Sequence, residues 1–258
     1  MQTRPVTDAG AIRPAPLFWV VVAATAVGGW LTTTTLVPSG VAVFVFVLAA
    51  WVLSLIFHEF AHAFVAWKGG DTSIPSKGYL SLDPRLYADP LTSIALPLFF
   101  LIIGGIGLPG GAVWINRNAL RSRWTVTAMS LAGPATNLAA AVVCLVPLNR
   151  GLVDPVSQPV LTQGLAFLAF LQILAFVLNM LPVPGLDGYG AIEPHLPHGV
   201  RQLLAPISRF GLLILFLLLF QVAPVRDAFW SLVGTFLDAF DVPRDQAQAG
   251  WDQFRFWS

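Results

Sequence analysis

Two of the chain's four histidines and one of its two glutamates stand within five positions, in the pentapeptide His58-Glu59-Phe60-Ala61-His62. On a helix, side chains four residues apart leave the same face about one turn apart. Two imidazoles at that separation can share one metal ion, and a glutamate beside the first can reach a water activated by that metal. This is the HExxH arrangement of zinc hydrolases: the metal lowers the pKa of the water and the carboxylate takes its proton. The same three residues could instead be hydrogen-bonded for structure at a helix end. Against that, an ionised glutamate beside hydrocarbon is costly unless it serves a function. The pentapeptide directly follows an uncharged run, residues 41–57, in which Ser54 is the only clearly polar side chain.

Two histidines leave a catalytic zinc one ligand short, because such sites use three protein groups and a water. Asp187, Glu193 and the pair His195 and His198 compete for the third place. Asp187 lies in NMLPVPGLDG, residues 179–188, at the end of another apolar run. Pro182 and Pro184 cannot continue a helix and push the residue before each towards an extended conformation. Gly185 and Gly188 permit the tight backbone that would swing a short carboxylate inward. Backbone opened at that depth is tolerated only where it lines a wet or protein-walled cavity. A proline-rich turn simply leaving a membrane would use the same residues. Glu193, His195 and His198 fit an interfacial loop better.

The elements that must position these groups are apolar helices. Residues are 56% hydrophobic and 10% charged, with a mean hydropathy of +0.75, where soluble proteins carry about 25% charge. A net charge of +1 points away from nucleic acid. The single cysteine, Cys144, sits in an apolar run and excludes disulfides within the chain. Five runs can cross a bilayer needing about 20 helical residues: about 17–37, 41–66, 126–148, 160–181 and 203–223. A sixth, 91–108, is short, contains Pro97 and runs into glycine pairs around Pro109. The first run follows Arg4 and Arg13 as a signal peptide would, but its length and lack of a clear cleavage site suit a retained helix. Residues 225–240 read as an amphipathic interfacial helix. The expectation is therefore an all-α membrane protein, one polytopic domain over 1–258. Its catalytic core covers about 41–190, with an additional span at 203–223 and an interfacial tail at 225–258.

With HEFAH and NMLPVPGLDG in view, the chain resembles the site-2 protease family of intramembrane zinc metalloproteases. AGPATN, residues 132–137, agrees with that family's Gly-Pro-x-x-Asn signature at the start of a span. The resemblance covers about 41–223. GYLSLDP (78–84) and DPLTSIALPL (89–98) suggest the compact bacterial branch without added PDZ or CBS domains. It implies one zinc per chain held by His58, His62 and Asp187, Glu59 as catalytic base, and Asn137 holding the substrate or polarising its carbonyl. GAVWINRN (111–118) departs from that branch's usual Ala-Lys-Pro-Val stretch, which bears on substrate preference.

If Asp187 and His62 share a metal, the chain must return to one side of the membrane between them. Three crossings by 91–108, 126–148 and 160–181 would leave Asp187 on the wrong face. One run must therefore enter and turn back, and the glycines and prolines of 91–115 mark that region as a re-entrant segment packed inside protein. GIGLPGGAVWI (105–115) is then either a strand edge that pairs with an unwound substrate or a flexible connector. With the amino terminus inside, nine lysines and arginines fall on the cytoplasmic side and four outside, omitting Arg209. The chain is thus expected as a multi-pass cell-membrane protein with a cytoplasmic amino terminus, its active site near the cytoplasmic face. Its partners would be the bilayer and a transmembrane protein substrate, cleaved within its membrane segment. A metal transporter is the rival from another class, and an HExxH protease of the prenyl-protein type, with Glu193 as third ligand, is the enzymatic one.

Overall fold

A computed structural model describes residues 12–87 and 114–257 of the chain. Within them every regular element is helical, as expected: α1 (Pro16–Leu31), α2 (Ser39–Gly69), the short α3 (Pro84–Tyr87), α4 (Arg123–Asn149), α5 (Pro159–Asn179), α6 (Asp187–Ile192), α7 (His198–Leu204), α8 (Gly211–Gln221), α9 (Ala223–Ala239) and α10 (Arg244–Phe254). Three of them, α2, α4 and α5, are long and apolar enough to cross a membrane, and the bent pair α8–α9 has the length and apolarity of a broken span or a re-entrant loop. With the shorter apolar α1, these agree with the expected membrane-embedded helical architecture. The re-entrant expectation on 91–115, and the strand edge within it, lie outside the described residues except for Trp114 and Ile115.

The central element is α5. From Gly164 to Leu178 its sequence is apolar apart from Gln172, and nearly every side chain on it is buried. A helix apolar all round belongs in the middle of a bundle. Here α2, α4, α9 and α10 surround it, their Phe46, Leu145, Val233 and Phe254 packing into one core with Phe167 and Leu171. The outward faces of α1 and α4 keep Trp19, Val20, Val143 and Val146 exposed, the pattern of side chains that meet lipid.

Helix α2 is 31 residues long, about 46 Å at 1.5 Å per residue against a hydrocarbon thickness of about 30 Å. His58 comes about 28 Å along it, directly after the uncharged run 41–57. The amide of Asp71 then donates to the carbonyl of Ala66 at 3.0 Å and ends the helix.

The return of the chain to this end is fixed by three bonds. Arg121 N–H donates to the carbonyl of Gly69 at 3.0 Å, Asn116 N–H to Asp71 Oδ2 at 2.7 Å, and Lys77 Nζ to the carbonyl of Trp114 at 2.6 Å. Helix α4 therefore starts where α2 stops. It departs from that end, α5 comes back, and Asp187 follows. The two described flanks of residues 88–113 sit at one end of α2, as the parity requirement demands.

One expectation needs correction. The run 203–223 is not a straight helix: it comprises the end of α7, a 3-10 turn at Ser208–Phe210, and α8. At 11 residues, α8 is about 16 Å long, and it is bent by 101° from α9 at Val222. The amphipathic helix expected for 225–240 is present, with Phe229, Val233 and Leu237 buried at helical spacing and packed into the bundle. Beyond it, α10 lays Gly250 on Gln163 and Phe167 and Phe254 against Phe44. The tail thus closes the end of the bundle opposite His58.

Asp71 is 1% exposed and accepts from the Ser73 amide and hydroxyl at 3.0 and 2.6 Å as well as from Asn116. Burial works against its ionisation, but the Ser73 hydroxyl, the two amides and Lys77 outweigh it and hold the carboxyl below its ordinary range. A carboxyl depressed in the folded chain stabilises above its unfolded pKa and loses that contribution as pH falls through the folded value. Asp71→Ala should cost about 1–3 kcal/mol at neutral pH, seen as a lowered midpoint in thermal unfolding of the detergent-solubilised protein. The gap to wild type should close as the pH drops below about 4, near the unfolded value of an aspartate.

Candidate metal centre

Three elements meet at the end of α2. His58 and His62 lie on its inward face, 7% and 6% exposed, with Glu59 buried between them. Asp187 arrives from the first residue of α6. Its Oδ2 stands 3.2 Å from His58 Nε2 and 3.3 Å from His62 Nε2, and the two Nε2 atoms are 3.1 Å apart. Among the described residues this is the group of histidine and acidic side chains able to hold a metal ion, all its ligand atoms lying within 4.8 Å of one another.

The chain between α5 and α6 explains how Asp187 gets there. Met180 and Leu181 end α5 just before Pro182, and Leu186 N–H donates to the carbonyl of Val183 at 3.0 Å to make a tight turn. Gly185 sits at φ +100°, a conformation that a side chain would strain. At Gly188 an added Cβ would fall on the carbonyls of Met180 and Leu181, so the start of α6 rests directly on the end of α5. The two prolines open the backbone and the two glycines fold it back, which carries Asp187 inward. Its side chain is 23% exposed, so the cleft opens to water on the Asp187 side.

Both imidazoles are oriented from behind. His58 Nδ1 is 2.6 Å from Asn137 Oδ1, and His62 Nδ1 is 2.7 Å from the carbonyl of Met129. A backbone carbonyl only accepts, so His62 Nδ1 carries a proton, and the neutral imidazole then offers Nε2 to a metal. Asn137 in turn donates from Nδ2 to Gln172 Oε1 at 2.8 Å. Its oxygen therefore faces His58, whose neutral ring offers Nε2 in the same way. Two lone pairs and a carboxylate oxygen at about 3 Å from one another repel unless a cation lies among them. Bare imidazole nitrogens with their far sides hydrogen-bonded, completed by a carboxylate, are the donor set of a zinc site. The fit extends to Gly133 of α4: a Cβ there would fall on both Nε2 atoms, 2.5 Å from that of His58. Only a glycine lets α4 approach the space the ion needs.

The other sequence candidates lie apart. Glu193 pairs with Arg117, His195 bonds Thr127 Oγ1 at 2.9 Å and stacks on Trp124, and His198 is exposed at the start of α7. Asn137, read from the sequence as a substrate-facing residue, has its oxygen on His58 and its nitrogen on Gln172. Gln172 itself went unread, although a lone amide inside a long apolar stretch signals a buried polar partner.

The chain is 45% identical over 262 residues to the "Putative zinc metalloprotease Rip2" of Mycolicibacterium smegmatis, an alignment covering all of this chain and 99% of that protein. It is 46% identical over 251 residues to the protein of the same name in Mycobacterium tuberculosis H37Rv, covering 96% of this chain and 95% of the relative. To the "Putative zinc metalloprotease YwhC" of Bacillus subtilis it is 29% identical over 194 residues, which span 73% of this chain and 85% of that protein. No family model and no solved structure matches the chain.

The approach of α4 supplies a test. Gly133→Ala places a methyl among the ligand atoms and should remove bound zinc from the purified protein, while Gly164→Ala, near the start of α5 at the end away from Asp187 and facing the flexible ring of Phe46, should retain it. Elemental analysis of the two proteins decides between them.

Proposed function

The chain belongs to the family of these zinc metalloproteases, a site-2 protease-like family, and from that membership we propose that it is an intramembrane endopeptidase that cuts the transmembrane segments of other membrane proteins. The observation that carries this reading is the position of the metal centre. Its two histidines lie about 28 and 34 Å along an apolar α2, just past the uncharged run 41–57.

In this reading His58, His62 and Asp187 hold the ion, which when bound polarises a water and the scissile carbonyl. Glu59 takes the proton of the attacking water on its carboxylate and delivers it to the departing amide nitrogen. Asn137 and the Met129 carbonyl hold the imidazoles with Nε2 towards the cleft, and water enters along the partly exposed Asp187. A transmembrane substrate must unwind before its peptide bonds can be attacked, because its own helix occupies their polar groups. The lysine and arginine count favours a cell-membrane orientation with the metal-centre end at the cytoplasmic face.

The transporter reading has less support. It calls for ionisable groups strung along the spans, whereas α4 has only Arg123, at its first turn, and α5 has none. The polar groups deep in the bundle, Ser54, Asn137 and Gln172, are neutral and bonded to one another. The prenyl-protein type needs Glu193 at the metal, and Glu193 is engaged by Arg117.

Glu59→Gln should abolish cleavage, lowering the rate by at least about 10²–10⁴-fold, and leave zinc in place. Comparing membrane-protein fragments in cells carrying wild type and Glu59→Gln reads the activity, and fragments unchanged between them would sink the proposal. Asp187→Ala should lose zinc and Glu193→Ala should keep it; the reverse result hands the third ligand position to Glu193.

A further inference from the structure

Behind His58 a line of hydrogen bonds runs through three helices. His58 Nδ1 meets Asn137 Oδ1 at 2.6 Å, Asn137 Nδ2 meets Gln172 Oε1 at 2.8 Å, Gln172 Nε2 meets Ser54 Oγ at 2.8 Å, and the Ser54 hydroxyl donates to the carbonyl of Trp51 at 2.7 Å. Gln172 is fully buried and Asn137 is 5% exposed.

Each amide in this line has one donating and one accepting end, so the line can run in two directions and all members must agree. In one direction Asn137 turns its oxygen to His58, the imidazole proton sits on Nδ1, and Nε2 is free for a metal. In the other, both amides are reversed, Asn137 donates to Nδ1, and the imidazole proton is displaced onto Nε2, where it blocks coordination. The Trp51 carbonyl can only accept. A Ser54 hydroxyl committed to it must take its remaining bond from a donor, which turns the nitrogen of Gln172 towards Ser54 and its oxygen towards Asn137. The direction is thus chosen at the end of the line farthest from the ion.

We propose that Gln172 and Ser54 are positioning residues of the metal centre: they fix the amide of Asn137 with its oxygen towards His58 and so keep the metal-facing nitrogen of that imidazole bare. The inference rests on the reading of His58 as a zinc ligand. Without the Gln172 oxygen, the Asn137 amide has no acceptor on that side and is free to turn its nitrogen to His58. A carboxylate at position 137 could only accept, so it would hold the productive tautomer whatever stands at 172.

The test is the zinc affinity of the full-length detergent-solubilised chain, measured by competition with a chelator. Gln172→Met, close in size and without polar atoms, should weaken zinc binding about tenfold, as the loss of groups that orient metal ligands generally does. In an Asn137→Asp background, whatever that change does to affinity by itself, adding Gln172→Met should cost nothing more. Unchanged affinity in Gln172→Met, or the same loss in both backgrounds, overturns the inference, because a merely structural glutamine would act alike in both. If Gln172→Met does not survive extraction, Ser54→Ala carries the same comparison: weakened binding alone, none beside Asn137→Asp, with equal effects overturning it. Wild type that binds no zinc, or His58→Ala that binds it equally well, defeats the metal-centre reading itself. Zinc bound through His58 but indifferent to Gln172 and Ser54 defeats only the inference.

Discussion

Three electron-rich atoms held about 3 Å from one another are the constraint on which the rest of the structure turns. His58 Nε2, His62 Nε2 and Asp187 Oδ2 come from two separate elements and repel at such distances unless a cation joins them. Repulsion of this kind is strengthened in a low-dielectric surrounding. The chain must therefore fix the donors by other means, and most of the unusual features near the site do so. Gly133 lets α4 come close enough to cap both imidazoles from behind. The prolines and glycines of 182–188 bring the carboxylate in on a turn rather than on a flexible tether. A preorganised donor set leaves less ordering to be done when the ion binds.

The same constraint governs topology. Since HEFAH and LDG must meet, an even number of crossings has to separate them, and the described helices between them supply two, α4 and α5. The bond from Arg121 to the carbonyl of Gly69 and the clamp around Asp71 secure this by tying the start of α4 to the end of α2. Such loop anchors carry no chemistry, yet they decide which face of the membrane each motif occupies. At Asp71 the acceptor is a carboxylate, which makes the bonds from the Ser73 and Asn116 amides stronger than bonds between neutral groups.

How far the sequence could be read depends on the range of the interaction involved. The helices α2, α4 and α5, the HExxH face and the opened backbone before Asp187 are local: period, prolines and glycines within ten residues define them. The choice of Asp187 over Glu193 was also legible, because only Asp187 follows directly on an interrupted span. What resisted reading was tertiary. The bend at Val222 has no glycine, and the nearest proline, Pro224, is one compatible with a helix start, so 203–223 passed for an uninterrupted span. The bond from Asn137 to His58 crosses 79 positions, and nothing near either residue in the sequence announces it. Ser54 and Gln172 are 118 positions apart, each a polar residue in an apolar stretch, and nothing in either stretch names the other as its partner.

The chemistry of that buried line fits its depth. Many metal-bound histidines are oriented by a carboxylate, which also raises their basicity. Beneath His58 a carboxylate would have to be taken out of water among the apolar side chains of α5, where an isolated ion is costly. A neutral amide avoids that cost but introduces an ambiguity that a carboxylate lacks, because it can present a donor as readily as an acceptor. The ambiguity is removed by extending the line until it ends on a group with only one role, here the Trp51 carbonyl. A neutral orienting group in an apolar bundle thus calls for further polar residues behind it. This is why two otherwise unexplained polar side chains lie within the helices of this protein and face each other.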